Sequence, residues 1–221
     1  MAKDVILFGT GDFARVASVY LAKDSPHKVV GFTVHEQFRA ATTLLDKPVI
    51  PFERLAADYP PDQVDLFVAV GFSRLNKARE EVYHACKALG YTLITYVNSK
   101  ATLWGEVTLG DNVFVFENNV IQPFVTIGSD TIVWSGNHIG HDATVGSHCF
   151  LTSQAVISGN VKIGDRCFIG INATIRDGVT IGDECVIGAG ALILKDAPPQ
   201  SVYPGVATEV SKVPSSRLKS I

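Results

Sequence analysis

Clustered positive charge is missing from this chain. Its 19 Lys and Arg are outnumbered by 22 Asp and Glu, leaving a formal charge of −3. No Lys/Arg patch of the kind that holds nucleic-acid phosphates occurs, so a nucleic-acid partner is not expected. A disulfide framework is missing too. Of the 4 Cys, Cys86 stands alone and Cys149, Cys167 and Cys185 recur inside a repeat, which does not read as paired cystines. No apolar run of about eighteen residues exists to span a bilayer. Met1-Ala2-Lys3-Asp4 leads directly into a strand pattern, without the apolar segment of a secretory signal. A cytoplasmic location with no membrane contact is therefore expected. The chain is 47% hydrophobic over 221 residues, enough for one or two compact domains with their own cores.

What is present throughout the second half is a six-residue period. From Leu103, Leu109, Val115 and Ile121 to Ile187 and Ile193, an aliphatic residue falls at every sixth position. Glycine often follows it, as at Gly110, Gly128, Gly140, Gly146, Gly164 and Gly188. Two positions before it sits a small or β-branched residue; Asn119 and Asn137 are the exceptions. A fixed short period of this kind is the signature of a parallel β-helix, whose coils stack because one alone cannot bury its inner face. Three hexads make one triangular coil, so residues eighteen apart should stack at one strand spacing, about 4.8 Å. Cys149, Cys167 and Cys185 are eighteen apart at the small inward position. They read either as fillers of a narrow core, since free Cys behaves as a small buried hydrophobe, or as a metal or redox column. Sixteen hexads give a little over five coils, and the register never breaks. No large loop should interrupt them. Asp196-Ala-Pro-Pro-Gln200 ends the repeat, since proline blocks further strand addition.

The first 98 residues read differently. Val5–Phe8, Val29–Val34, Asp65–Val70 and Thr92–Val97 are apolar runs of strand length, with helical patterns over about Phe13–Lys23 and Arg74–Leu89, the latter ended by Gly90. Alternation of strand and helix implies a small parallel, Rossmann-like α/β sheet. The organisation expected is an α/β domain over 1–98, a parallel β-helix over 99–200 and a polar tail over 201–221. Gly9-x-Gly11-x-x-Ala14 follows a strand and opens a helix, as in the dinucleotide fingerprint, which lets a pyrophosphate approach the backbone. Such a match fits NAD, a nucleotide-linked substrate or a bare tight turn. The acidic residue that would take a ribose is at best Glu36, slightly late after His35.

An α/β domain of about 95 residues followed by an uninterrupted hexapeptide helix resembles the NeuD-type sugar acyltransferases. The resemblance covers nearly the whole chain. It is most specific over Ile139-Gly-His141-Asp142, Gly159-Asn-Val-Lys-Ile-Gly164, Phe168-Ile-Gly-Ile-Asn172 and Tyr203-Pro-Gly-Val206. It implies a left-handed β-helix, a homotrimer, acetyl-CoA as co-substrate and an acceptor sugar, often nucleotide-linked and destined for a surface polysaccharide. By the same resemblance His141 is the general base and Asp142 its acidic neighbour. Taken alone, a histidine in a polar turn would read as solvated. The chemistry suits the pair: imidazole titrates near neutrality and can take a proton from an attacking amine or hydroxyl, and a carboxylate fixes its tautomer. His148 matches a position near the acyl group. His138 should point out from a flat face, toward a subunit interface or the sugar. The resemblance places main-chain contacts to CoA at Gly159 and Ala189, the pantetheine arm beside Ile171 and Asn172, and adenine near Gly205. Lys195 stands as a phosphate partner or as a solvated lysine. The acceptor is expected against Gly9, Gly11, Asp12, Phe13 and His35. Here the chain departs from the family, which often carries Gly-His in the first loop and an acidic pair after the second strand. Acyl transfer by direct attack requires no metal, and none is assigned to the histidines.

The resulting expectation is an acetyl-CoA-dependent N-acetyltransferase of a nucleotide-linked amino sugar. O-acetylation of a sugar hydroxyl is the alternative. Two rivals from other classes stand beside it: a catalytically idle nucleotide-binding module, and an NAD-dependent α/β enzyme with a structural β-helix.

Overall fold

The computed structural model describes residues 3–217. β1 (Asp4–Phe8) enters α1 (Asp12–Asp24), then β2 (Val29–Val34). A hairpin of β3 (Thr43–Leu44) and β4 (Lys47–Pro51) and a short α2 (Phe52–Asp58) precede β5 (Val64–Val68) and α3 (Lys77–Ala88). The sheet runs β3-β4-β2-β1-β5, parallel except for β3. The hairpin and α2 have no counterpart in the sequence reading. The hairpin turn is Leu45-Asp46, both left-handed (φ 49° and 59°), in place of the Asn-Gly or Asp-Gly that announces such turns. α3 starts three residues later than its periodicity suggests. Arg74, Leu75 and Asn76 all have positive φ (53°, 52° and 67°), which an α-helix cannot continue through.

The expected fourth strand of this sheet does not form as such. Leu93 makes a single parallel bridge to Leu66, while Tyr96–Val97 leaves the sheet and pairs with Phe114–Val115. It is the first rung of the β-helix. From there sixteen two-residue strands follow, one per hexad, and each as far as Thr174–Ile175 pairs with the strand eighteen residues on. Three parallel sheets close a triangular prism. The inward aliphatics from Val115 to Ile193 form one buried column core with the small residues between them. The three repeat cysteines are buried fillers with unpaired thiols, and each Sγ faces a carbonyl, at Gly164, Gly182 and Pro198 (3.1–3.2 Å). Asn119 and Asn137 stack as a two-rung ladder: Asn119 Oδ1 accepts from the backbone N–H and Nδ2 of Asn137, both at 3.0 Å. Asn137 Oδ1 in turn accepts from Ala155 N–H at 2.8 Å. Amide groups of this kind satisfy backbone that a narrow core would leave bare.

The outward residue of each strand gives the three faces different characters. One face carries Thr108, Thr126, Thr144, Lys162 and Thr180. A second carries Thr102, Val120, His138, Val156, Thr174 and Leu192, with Val120, Val156 and Leu192 exposed. The third carries Tyr96, Phe114, Ile132, Phe150 and Phe168 and is covered by the α/β domain. Phe13, Ala14, Ala17 and Leu21 of α1 pack on it. Phe116 and Trp134 stack at 4.3 Å, Phe150 and Phe168 at 6.0 Å, and α1 places Phe13 edge-on to Phe114 at 5.8 Å. Aromatic contacts of this geometry exceed their area burial by about 0.5–1.5 kcal/mol each.

Along one edge of that face lies α3, and the contact is polar. Arg79 is fully buried. Its guanidinium lies 3.2 Å from Asp130 Oδ2 and donates to the carbonyls of Asp130, Gly71 and Cys149 (3.0–3.1 Å). Burial pulls the Arg79 pKa down, and Asp130 opposes the shift. Asn112 Nδ2 donates to Asp130 Oδ1 (2.7 Å), while Asn112 Oδ1 accepts from Val68 N–H at the end of β5 (2.8 Å). Tyr83 and Lys87 reach Asp111, and Lys77 reaches Glu184. Arg79→Ala is expected to destabilise the fold by about 3–5 kcal/mol, because it strands a buried carboxylate. Urea unfolding followed by Trp134 fluorescence measures it; a loss below about 1 kcal/mol would mean Asp130 is not held as described.

Candidate active site

His141 and Asp142 occupy the corner between the threonine face and the valine face, away from the covered face. The corner forms because each hexad places one left-handed residue in its turn, here Asp142 (φ 58°). Both side chains are about half exposed, at 55% and 52%. His141 Nδ1 lies 2.9 Å from Asp142 Oδ2, and the His141 backbone N–H donates to Gln122 Oε1 at 2.9 Å. With Nδ1 bound to the carboxylate, Nε2 is left with its lone pair outward. That nitrogen lies over Gly159, one coil on. A Cβ built at Gly159 would meet His141 Nε2 at 2.7 Å and Asp177 Oδ1 at 2.9 Å. Only glycine leaves the ring where it is. Asp177, on the same edge one coil further, is a neighbour that the sequence reading missed, although it lies eighteen residues beyond Gly159.

The remaining expected residues divide between two edges. Gly159 and Lys195 share the edge of His141. Ile171, Asn172, Ala189 and Gly205 run along the opposite edge of the valine face. On that second edge Ile171 is 51% exposed, and Gly205 packs so close that a Cβ would lie 1.8 Å from the Ala189 carbonyl oxygen. His138 is mid-face, between Val120 and Val156 in register. One elongated ligand cannot follow both edges of a single prism.

His148 is at the next corner of the same coil, but α3 covers that corner. The ring is buried, with Nδ1 2.8 Å from Asp130 Oδ2, and packs against Tyr83 and His84. It is a domain-contact residue, not a neighbour of His141, and the expected place beside the acyl group is corrected.

Gly9, Gly11, Asp12, Phe13 and His35 do converge. They line a cavity of about 740 Å³ at the C-terminal ends of β1, β2 and β5, together with Ala69, Gly71, Arg74 and Glu81. Gly9 (φ 128°) is required by packing, since a Cβ would lie 2.6 Å from the Ala69 carbonyl oxygen. Gly11 has open space where its Cβ would be, so packing does not require glycine there. Gly11 is the N-cap of α1 and there is no side-chain cap, which leaves amides of the first turn free for an anion. Phe13 contributes a wall only, because its ring is turned into the aromatic core against Phe67 and Phe114. His35 is wedged edge-on between Phe8 and Phe52, and its Nδ1 lies 2.8 Å from Glu53 Oε1. That contact holds the Glu53 carboxyl below the usual range. Glu36 is outside the cavity wall and bound to Arg39.

The repeat matches the bacterial transferase hexapeptide (six repeats) model over residues 124–159 and 160–195. No curated protein matches the chain. Solved structures do, across both domains. The acetyltransferase domain of PglB from Neisseria gonorrhoeae is 25% identical over 92% of this chain and 97% of that one, with a TM-score of 0.81. PerB from Caulobacter crescentus, solved in complex with CoA and GDP-perosamine, is 26% identical over 96% of this chain and 98% of that one, with a TM-score of 0.83. Together these likenesses support the NeuD-type hexapeptide-repeat acyltransferase family, and the chain is an acyltransferase. WeeI from Acinetobacter baumannii, at 19% identity over 92% of this chain and 97% of that one and a TM-score of 0.79, shares the fold.

The fold is an α/β domain followed by a left-handed prism. No helix among the described residues is long and apolar enough to cross a membrane. A test of the corner geometry follows from Gly159. Gly159→Ala is expected to push the His141 ring aside and lower turnover on the order of 10²-fold, the effect of misplacing a reacting group by about 1 Å, with an unchanged circular dichroism spectrum. Full turnover in that variant would disconnect the ring position from catalysis.

Proposed function

We propose that this acyltransferase N-acetylates a nucleotide-linked amino sugar, with acetyl-CoA as donor and His141 as general base. The observation that carries the reading is the His141–Asp142 pair on an exposed prism corner, with Nε2 free above Gly159, where a side chain would displace the ring. The acceptor amine attacks the thioester carbonyl; His141 Nε2 takes the proton that the amine loses, and the thiolate of CoA leaves. Asp142 holds the ring and offsets the charge that develops on it. A cytoplasmic setting goes with a CoA thioester donor. The chain's likeness to PerB, which was solved with CoA and GDP-perosamine, favours a nucleotide-linked amine over a bare sugar hydroxyl. The cavity at Gly9–Phe13 and His35 is the place for the nucleotide. His35 backed by Glu53 offers a different face from an acidic pair, so the base or sugar recognised differs from that of relatives carrying such a pair.

The reading requires more than one subunit. The cavity opens on the α/β domain over the covered face, whereas His141 is on the edge joining the other two faces. The CoA positions likewise split over two edges. A homotrimer in which neighbouring prisms face each other across the valine face brings the two edges together, and it covers Val120, Val156 and Leu192. In it, Gly159 and Lys195 of one subunit face Ile171, Asn172, Ala189 and Gly205 of the next. Sedimentation at three times the 23.8 kDa chain mass is expected; a monomer with full turnover would remove the shared site.

His141→Ala is expected to lower turnover by roughly 10²–10⁴-fold with CoA affinity little changed. Thiol release from acetyl-CoA against a panel of nucleotide-linked 3- and 4-amino sugars reads both the variant and the acceptor. A product stable to mild alkali is the amide. Silence across the panel with CoA still bound would move the reading to O-acetylation of a sugar without a nucleotide.

A further inference from the structure

We infer that the contact between α3 and the prism is a binding site for a zinc-class divalent cation, held by Glu80, His84 and His148. Glu80 and His84 are one turn apart on α3 and so share a helix face. His148 meets that face from the prism corner. One ligand atom from each side chain can be chosen so that all three lie within 4.8 Å of one another. The rings of His84 and His148 are 5.5 Å apart, and His148 Nε2 is 3.7 Å from Glu80 Oε1, too long for a hydrogen bond.

The support behind His148 is what separates this cluster from a chance grouping. Asp130 is fully buried and ion-paired with Arg79, so its carboxylate accepts. Its Oδ2 is 2.8 Å from His148 Nδ1, which therefore carries the proton. Nε2 is thereby left as a lone pair directed at Glu80 and His84. Metal-ligating histidines characteristically have a carboxylate holding the ring nitrogen that does not bind the ion, as Asp130 holds Nδ1 here. Two imidazoles and one carboxylate select zinc-like ions over magnesium or calcium.

Ligand atoms around tetrahedral zinc are about 3.3 Å apart, given bonds of about 2.0–2.1 Å. Closing to that distance takes small movements of Glu80 and of the exposed His84, with water as fourth ligand. Arg166 also contacts Glu80 Oε1 at 3.2 Å, but it keeps Glu184 as a partner at 3.1 Å when Glu80 turns to the ion. The ion would clip the acceptor-binding domain to the prism. It has no part in acyl transfer.

The test uses the untagged full chain. After dialysis against micromolar zinc and then buffer, one zinc per chain is expected by elemental analysis. The apparent Tm is expected to rise by roughly 5–10 °C at zinc a hundred times Kd, while magnesium has no effect. His84→Ala, at an exposed position, should keep the zinc-free Tm and lose both the bound zinc and the shift; Glu80→Gln should lose most of each. Absence of zinc from the wild-type chain overturns the inference. So does zinc retained equally by His84→Ala, which would place it on the thiols or on His138 and His141.

Discussion

The molecule depends on one buried ion pair. Arg79 and Asp130 have no exposed side-chain surface, and they come from different domains. Neither is tolerable in the interior alone, since an isolated buried charge costs several kcal/mol. Each is therefore surrounded by further polar groups. Arg79 takes three carbonyls and the Asn76 side chain; Asp130 takes Asn112 and His148. Asn76 itself donates to the carbonyls of Arg166 and Cys167 on the prism. A network this closed has one geometry, and so it fixes where the α/β domain sits. The aromatic face alone would hold the domain on the prism but would allow it to slide.

That fixed position has a functional side. The loop that supplies Gly71, Arg74 and Asn76 is both the wall of the cavity and the entry to α3. Its three consecutive left-handed residues are strained, at a cost of order 1 kcal/mol or more each. The hydrogen bonds made by Arg79 and Asn76 hold that strain in place. The cavity mouth is thus shaped by contacts to the prism and is not a property of the α/β domain by itself.

Most of the prism was legible in the sequence because its rule is local and repetitive. One aliphatic per hexad fixes strand position, and eighteen residues fix stacking. The corner of His141 and its closeness to Gly159 follow from the same arithmetic. What was lost was information carried on the outward position. Reading Tyr96, Phe114, Ile132, Phe150 and Phe168 as a column would have identified the covered face, and with it the burial of His148 one corner away. The α/β domain was less legible for a different reason. Thr92–Val97 has strand composition throughout, but only pairing partners decide that Leu93 touches one sheet and Tyr96 another. The Leu45-Asp46 turn carries no glycine to announce it. The side-chain roles of Phe13 and His35 depend on neighbours more than fifteen residues away, which no local pattern encodes.

The outward columns also give the prism a property of inheritance. Every hexad is equivalent on the inside, so the core would accept the gain or loss of any whole number of them. The outside would not. Removing eighteen residues shortens the prism by a coil and leaves each face its own chemistry. Removing six leaves the same continuous core but turns everything downstream by a third of a revolution. Phenylalanines would then meet water, Val156 and Leu192 would meet the α/β domain, and His141 would move to another edge relative to that domain. Viable length variants of this protein should therefore differ within the repeat by multiples of eighteen residues, even though the visible period is six.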